Sequence, residues 1–399
     1  MHRPGQPSAV LLFILTVGNC LVNSPFAVYL ALYAKSLGFT TVQWTLLNTA
    51  AALLASVSLL GLPRLLHRGG ARVIMQASFL LLAGCFLAIS TGTRAGVTAG
   101  ALCFSFLASA NSMCILTELQ MGSRMLGKTN SAYTVIVGSV SIVAPLIAAT
   151  VVPHSGYAAL WYGCMGVMIA QAGLCFLVPR HGGAPEQGQE QVHAGERPPD
   201  RGFGLLLRSG FAWLLLGTAV AEPFSFQMCN LYASLRLSGM GLSDAAIGYV
   251  ASAGWAAYLV SSTLSWFLLD RLDIRMSLAV FLTCAALSCA GFGLAGSAVP
   301  AVVCLLFMQL FYGWLHPAKN VRYARIATPR TLPSVFSLSI SVQSFTCTGL
   351  GAAAAALVGT LGMQPLIAAG GLVAAAGGLA TLGAPVHAPP TDHGDPAGA

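Results

Sequence analysis

One carboxylate lies inside an apolar run of this sequence. Glu222 occurs in LLLGTAVAEPFSFQMCNLYASL, residues 214–235, with Pro223 directly after it. If this run crosses a bilayer, a charged side chain at its centre costs about 2.5–3.5 kcal/mol. A carboxyl retained at that cost is a candidate for proton coupling, because it can be neutral in one environment and ionised in another.

Two other roles for Glu222 remain open from the sequence. Pro223 lacks an N–H and displaces the carbonyl four residues earlier, so a protonated Glu222 could donate a hydrogen bond to that carbonyl. Alternatively, the carboxylate could bind a cationic substrate directly.

A second titratable group is His316, which precedes Pro317 and Lys319. The three residues lie at the predicted end of an apolar segment, and several arginines follow them. We therefore expect an anchor at the membrane surface, with a pH-sensing histidine as the alternative.

The octapeptide GSRMLGKT, residues 122–129, matches the phosphate-binding pattern G-x-x-x-x-G-K-[ST]. That pattern binds phosphate when it follows a β-strand in an α/β domain. Here it follows an apolar helix-length segment, so we interpret the match as coincidence and expect no use of ATP.

Composition places most of the chain in lipid. Of its 399 residues, 56% are hydrophobic and 8% are charged, whereas a soluble domain carries about 25% charged residues. The net charge of +8 comes from dispersed Lys and Arg residues. They form no basic stripe with interleaved aromatics, so a nucleic-acid partner is not expected. The 11 cysteines lie in apolar segments without a CxxC pair, which predicts packing and no metal site.

About 20 mostly apolar residues are needed to cross a bilayer as a helix. The sequence predicts an all-α polytopic membrane protein with twelve such helices, arranged as two pseudo-symmetric six-helix bundles. The predicted spans are residues 9–33, 43–62, 73–92, 96–117, 131–152, 157–178, 210–235, 246–269, 276–296, 299–317, 333–360 and 364–384.

The domain organisation follows from one long polar interruption. We expect an N-terminal bundle over residues 1–179, a flexible cytoplasmic linker over 180–208, a C-terminal bundle over 209–384 and a disordered tail over 385–399. A cytoplasmic N-terminus leaves only three of the 19 basic residues outside, so both termini are predicted to be cytoplasmic.

The first helices of the two halves resemble each other. NSPFAVYLALYAKSLGF (23–39) and AEPFSFQMCNLYASLRLSG (221–239) share a Pro-Phe pair and a later Leu-Tyr-Ala triplet. This pattern is typical of parallel repeats about an axis along the membrane normal. Ser24 occupies the position of Glu222, so the acid is not required by the fold itself.

The arrangement of six spans, linker and six spans resembles the major facilitator superfamily over nearly the whole chain. That family carries a Gly-x-x-x-Asp-Arg-x-Gly-Arg-Arg/Lys motif between spans 2 and 3, repeated between spans 8 and 9. GLPRLLHRGGAR (61–72) and LLDRLDIR (268–275) match it loosely, and the first copy lacks the Asp. The resemblance implies that these loops form part of a cytoplasmic gate. The simpler alternative is that their arginines only follow the positive-inside rule, by which basic residues collect in cytoplasmic loops. The candidate gating residues are Arg68, Arg72, Asp270, Arg271 and Arg275.

A further motif points weakly to the drug-efflux branch of that family. GSVSIVAPLIAA (138–149) resembles its antiporter motif in span 5, although small residues replace two glycines. The arginine that many drug–proton antiporters keep in span 4 is missing. FLASAN (106–111) resembles the sugar-efflux branch instead.

The family's central cavity is lined by spans 1, 4, 7 and 10, and polar residues concentrate in those spans here. The resemblance therefore implies these substrate-binding candidates, with Glu222 for proton coupling: Asn19, Asn23, Asn111, Gln227, Asn230, Gln309 and Tyr312.

We expect a secondary transporter of the inner membrane that works by alternating access, not an enzyme. Proton-coupled export of a small organic molecule is the leading interpretation. A sugar-efflux or uptake permease and a non-transporting receptor on the same fold are the alternatives. The expected partners are substrate, protons and lipid, with no cofactor or metal, and we expect a monomer.

Overall fold

The computed structural model describes residues 9–122, 126–178, 214, 216–268, 272–326 and 332–383, and this part of the chain is helical throughout apart from short connections. The helices are α1 (Ala9–Ser36), α2 (Thr41–Ser90), α3 (Arg94–Gly122), α4 (Leu126–Leu174), α5 (Glu222–Gly239), α6 (Asp244–Leu268), α7 (Ile274–Leu294), α8 (Ala298–Ile326), α9 (Leu332–Leu361) and α10 (Met363–Ala380). Within the described residues, seven helical stretches are long and apolar enough to cross a membrane. The prediction of an all-α membrane protein is confirmed. The predicted linker and tail lie outside these residues.

Two helices each contain two of the predicted spans. α2 runs through the predicted second and third spans, and α4 runs through the fifth and sixth. Each turns at one glycine with positive φ, Gly70 (φ 73°) in α2 and Gly156 (φ 76°) in α4. Because glycine alone adopts this conformation without strain, the chain reverses there with almost no loop. With these two turns, the helices are consistent with the predicted count of twelve spans.

One boundary differs from the sequence prediction in a way that matters for the site. The tenth span was predicted to end at residue 317, but α8 continues to Ile326. Pro317 lies inside α8 and does not end it. A proline is tolerated within a membrane helix when neighbouring groups satisfy the freed backbone carbonyl.

The two halves meet along two helix pairs, α2 with α9 and α4 with α6. In the first pair Gly351 lies directly against the side chain of Thr49, and in the second Gly138 lies against Leu259. Small residues let the backbones of membrane helices approach closely. The first pair joins spans 2 and 11 and the second joins spans 8 and 5, so exchanging the halves converts one pair into the other. This agrees with two pseudo-symmetric bundles.

Hydrogen bonds across the two halves cluster at the end of the molecule predicted to face outward. The Trp44 indole N–H donates to the Leu231 carbonyl at 3.1 Å, and the Lys35 ammonium donates to the Ser238 hydroxyl at 2.9 Å. Beside them, a cavity of 410 Å³ is lined by residues of both halves, among them Ala31. The halves are therefore in direct contact at this end.

Candidate functional site

Glu222 begins α5 directly after a π-helical turn, Leu216–Ala221. Pro223 removes one backbone donor, and its ring would crowd the carbonyl of Ala219 in a regular α-helix. The wider turn accommodates that crowding, and such turns occur often at functional sites. The local sequence thus sets the direction in which the Glu222 side chain leaves the helix.

The Glu222 carboxylate is completely buried and is paired with two basic side chains of α8. Its Oε2 lies 2.8 Å from Lys319 Nζ, and its Oε1 lies 3.0 Å from His316 Nε2. His316 and Lys319 are three residues apart, so both project from one face of the helix. The Glu222 side chain is 0% exposed, that of Lys319 11% and that of His316 30%. Solvent therefore reaches the pair from the basic side.

Tyrosines hold this cluster in place. The Tyr258 hydroxyl of α6 lies 2.9 Å from His316 Nδ1, so both ring nitrogens have a partner. The Tyr312 hydroxyl bonds to the Ser225 hydroxyl and donates to the Glu222 carbonyl at 3.4 Å. A neutral His316 would donate from Nε2 and accept at Nδ1, whereas a charged one would donate from both. Helices α5, α6 and α8 therefore build one connected polar site.

The expectation that His316 and Lys319 form an anchor at the membrane surface is wrong. Since α8 continues nine residues beyond Pro317, the two side chains lie inside the helix and turn toward α5. The carboxyl of Glu222 likewise does not take the backbone carbonyl freed by Pro223 as its partner. Two nearby basic side chains are better partners, because the Lys319 ammonium offsets the cost of burying the charge and His316 forms a hydrogen bond to it.

A second polar site lies in the N-terminal half, between α1 and α3. Asn19 Nδ2 donates to the Ser112 hydroxyl at 3.0 Å. Asn111 is completely buried, and neither its amide nitrogen nor its oxygen has a hydrogen-bond partner among the described residues; the same holds for Asn19 Oδ1. Buried amide groups are normally paired, so these atoms call for a ligand or water.

Comparison with known proteins decides the family. The family model described as Major Facilitator Superfamily matches residues 12–348. The chain belongs to the major facilitator superfamily. Two solved structures of the nucleoside transporter NupG, one of a point mutant, resemble it with TM-scores of 0.76 and 0.74 at 13% identity. They cover 94% of this chain and 99% and 98% of those chains.

A third solved structure, of a D-xylose-proton symporter, has a TM-score of 0.71 at 13% identity and covers 96% of each chain. A sequence comparison with curated proteins finds no match. At such low identity the structural likeness shows the fold alone. The family match gives the functional class: this chain is a transporter of the major facilitator superfamily and not an enzyme.

Of the other predicted substrate-binding residues, all within the described part of the chain, only Tyr312 contacts the Glu222 cluster. Tyr312 is brought to Glu222, whereas Gln309 lies against Gly254 of α6. Asn23 and Gln227 are half-buried, and Asn230 is exposed. The structure therefore brings Tyr312 to Glu222, and it joins Asn19 to Ser112, the residue after Asn111.

The predicted cytoplasmic gate is only partly described. Asp270 and Arg271 lie outside the described residues, and so does the side chain of Arg68. The Arg72 guanidinium lies 5.6 Å from the centre of the Phe176 ring. The backbone N–H of Arg275 is capped by the Asp273 carboxylate at 2.9 Å. Each of these contacts joins residues of the same half, so neither shows the two halves held together at the cytoplasmic end. The cytoplasmic gate therefore stays a prediction.

Sequence reasoning missed a set of hydrogen bonds between the two halves at the opposite end. Tyr157, one residue after the turn at Gly156, donates a hydrogen bond to the Asp244 carboxylate at the start of α6. Tyr29 donates to the Asp244 backbone carbonyl at 3.3 Å. Partners this far apart in the chain carry no sequence signal. No group of three or more His, Cys, Asp or Glu residues suited to a metal occurs in the part of the chain that the structure describes.

Proposed function

We propose that this protein is a proton-coupled secondary transporter of the inner membrane that moves a small organic molecule by alternating access. Glu222 is the proton-coupling residue. The observation that carries the proposal is a fully buried carboxylate paired with His316 and Lys319, of which the histidine is partly exposed. A proton can therefore reach the carboxylate through groups that exchange protons readily.

Protonation of Glu222 changes the net charge of the cluster that it forms with His316 and Lys319. The protonated and the ionised cluster therefore stabilise the contact between α5 and α8 to different extents. With the carboxylate ionised, Lys319 and His316 hold α8 against α5. With the acid neutral, that attraction is lost while Lys319 keeps its charge. A change of this kind can bias a two-state element such as a pair of helix bundles. Each elementary charge moved through 100 mV supplies about 2.3 kcal/mol, which is enough to concentrate a substrate.

The substrate would bind between the Glu222 cluster and the Asn19–Asn111 site. The amide atoms of Asn111 have no partner in the described part of the chain, which supports hydrogen bonding to substrate from the N-terminal half. Asn23, Gln227, Asn230, Gln309 and Tyr312 stay candidates for the same role. Arg68, Arg72, Asp270, Arg271 and Arg275 stay candidates for the cytoplasmic gate, and export stays the direction predicted from the sequence.

A nucleoside or sugar permease is the second candidate. It is favoured by the identity of the similar structures, a nucleoside transporter and a D-xylose-proton symporter. The Asn111 amide has no partner among the described residues, and it suits hydroxyl groups, which both donate and accept hydrogen bonds.

The test uses inside-out membrane vesicles with an imposed proton gradient, challenged with drugs, sugars, nucleosides and organic acids. Proton movement is followed with a pH dye for the wild type and for Glu222→Gln. Glu118→Gln is the matched control, since it makes the same change near the end of α3. A compound that moves protons in the wild type and the control but not in Glu222→Gln supports the proposal, and the sign of the pH change gives the direction.

Equal proton movement in Glu222→Gln would remove Glu222 from the coupling mechanism. Uptake of a labelled compound without proton movement would favour a uniporting permease. Binding without any flux would favour a receptor built on the transporter fold.

A further inference from the structure

We infer that the phosphate group of an anionic lipid binds at the predicted outer end of the C-terminal half, between the Arg236 side chain and the first turn of α10. Arg236 lies 14 residues after Glu222, or about 20 Å farther along α5. The site is therefore separate from the Glu222 cluster, and the inference does not depend on which substrate is transported.

The first argument is the burial of a cation. Three basic residues are predicted to lie at this end, and two of them, Lys35 and Arg94, are exposed. Arg236, in the last turn of α5, is only 3% exposed. Within the described residues it forms no ion pair with a carboxylate. Since an arginine is rarely buried unless its charge is paired, Arg236 calls for an anion.

The known contacts of Arg236 orient its guanidinium without neutralising it. Nε donates to the Phe292 carbonyl at 3.1 Å, and Nη2 donates to the Ala295 carbonyl at 2.7 Å. A guanidinium has five N–H groups, and these bonds use only two of them. The two carbonyls carry no net charge, so the positive charge stays available to a ligand.

The first turn of α10 adds backbone donors. The first N–H groups of a helix have no partner within that helix. The residue before α10 is Gly362 (φ 79°), and no side chain caps the turn. Pro365 has no N–H, so the free donors are those of Met363 and Gln364. They lie at the positive end of the helix dipole, which favours an anion.

A cavity joins these two sets of donors. Its volume is 340 Å³, and its lining includes Arg236, Met363 and Gln364. A volume of this size is typical of a small ligand site. A guanidinium together with backbone N–H groups at a helix start is a combination that suits phosphate oxygens.

The apolar surroundings favour a lipid over a soluble anion. Leu361 lines the same cavity and is 54% exposed. Leu294, the residue before Ala295, is 74% exposed. These leucines stand at helix ends, where the lipid headgroups meet the hydrocarbon. A lipid could place its phosphate against Arg236 and its chains along these side chains, whereas a soluble anion would leave them uncovered.

The test measures how much radiolabelled phosphatidylglycerol the purified full-length protein retains in detergent, in competition with three unlabelled compounds. Phosphatidylglycerol is anionic, phosphatidylcholine carries the same phosphate with a balancing cation, and glycerol 3-phosphate lacks the chains. We expect phosphatidylglycerol to compete about tenfold better than phosphatidylcholine, because the charge of Arg236 is unpaired. It should compete about a hundredfold better than glycerol 3-phosphate, because the chains add apolar contact.

Arg236→Gln removes the charge and should weaken phosphatidylglycerol binding about tenfold. Arg94→Gln is the matched control. Arg94 lies at the same predicted end and also donates to two backbone carbonyls, those of Leu37 and Gly38, but it does not line this cavity. Arg94→Gln should therefore bind the lipid as the wild type does.

A second pair of variants tests the backbone donors and leaves Arg236 in place. Met363→Pro removes one N–H at the first position of α10, where proline fits the helix. Met363→Ala changes the same side chain and keeps the N–H. We expect Met363→Pro to bind phosphatidylglycerol about threefold or more weakly than Met363→Ala.

Equal competition by phosphatidylcholine and phosphatidylglycerol would overturn the inference, and so would wild-type binding by Arg236→Gln. Glycerol 3-phosphate that competes as well as the lipid would assign the site to a soluble anion and overturn it too. If Arg236→Gln does not fold, equal binding by the two Met363 variants overturns it. None of these results removes the proposed function, which is judged by proton movement in Glu222→Gln vesicles.

Discussion

Tyr157 of the N-terminal half donates a hydrogen bond to the carboxylate of Asp244 in the C-terminal half. Tyr29 bonds the backbone of the same residue, so Asp244 fastens the start of α6 to α1 and α4 together. Alternating access requires these halves to separate at this end in one part of the cycle. The contact is therefore a candidate outer gate.

Tyr157→Phe should shift the protein toward a state open at this end. A hydrogen bond to a charged group contributes about 1.5–3 kcal/mol, so its loss should raise the open population about tenfold or more. The measurement is the labelling rate of Ala31→Cys by a membrane-impermeant maleimide, since Ala31 lines the cavity between the halves at this end. Tyr162→Phe is the control, because Tyr162 is exposed on the same helix. Equal labelling in both variants would mean that the hydrogen bond does not hold the gate.

Removing one member of the Glu222–Lys319 pair should destabilise the protein more than removing both. A buried charge that loses its partner costs about 3–5 kcal/mol, whereas a neutral pair leaves no such charge. Lys319→Met should therefore lower the thermal unfolding midpoint in detergent, and adding Glu222→Gln should recover part of the loss. Additive effects of the two changes would show that the pair is not coupled in the folded protein.

Asn111→Leu should stabilise the protein while it weakens transport. The buried amide of Asn111 has no partner within the described residues, so replacing it removes about 1–3 kcal/mol of unpaid desolvation. The readouts are the unfolding midpoint and the rate of substrate-driven proton movement. A lower unfolding midpoint would instead indicate that Asn111 stabilises the fold and is not reserved for ligand binding.

Gly313→Ala should disturb the Glu222 cluster indirectly, through the packing of α8 against α6. An added Cβ at Gly313 would overlap the backbone carbonyl of Tyr258, so α8 would move away from α6. His316 and Tyr258 would then separate, and we expect a lower unfolding midpoint and slower proton-coupled transport. Gly163→Ala is the control, since nothing lies within 4 Å of its added Cβ. In an open helical position this change is neutral or stabilising by up to about 1 kcal/mol.

The membrane class and the family could be read from the sequence, and Glu222 could be singled out as a candidate, because each depends on a local property. Apolar runs of helical length predict spans, and one acid inside such a run stands out from its neighbours. Asn111 could also be proposed as a substrate-binding residue, since it is a polar residue in a span predicted to line the central cavity. Local patterns do not show which side chains contact each other across the fold, and only the structure provides this information.

The partners of Glu222 could not be predicted for two physical reasons. His316 and Lys319 are more than 90 residues away in the chain, and only the tertiary fold brings their side chains within hydrogen-bonding distance of Glu222. In addition, Pro317 was read as the end of a helix. In a membrane helix that reading fails, because continuing the helix keeps the remaining backbone groups hydrogen-bonded.

The π-helical turn at Leu216–Ala221 has a consequence for how this site tolerates changes in chain length. A π-helical turn closes i→i+5 hydrogen bonds, so it holds about one residue more than an α-helical turn. Deleting one residue from it would restore regular winding with little change of direction on either side, but the Pro223 ring would then crowd the carbonyl four residues earlier. The helix would have to kink beside Glu222, with every side chain of the cluster still encoded. A single-codon deletion in this stretch should therefore disturb the contacts between the acid and its bases.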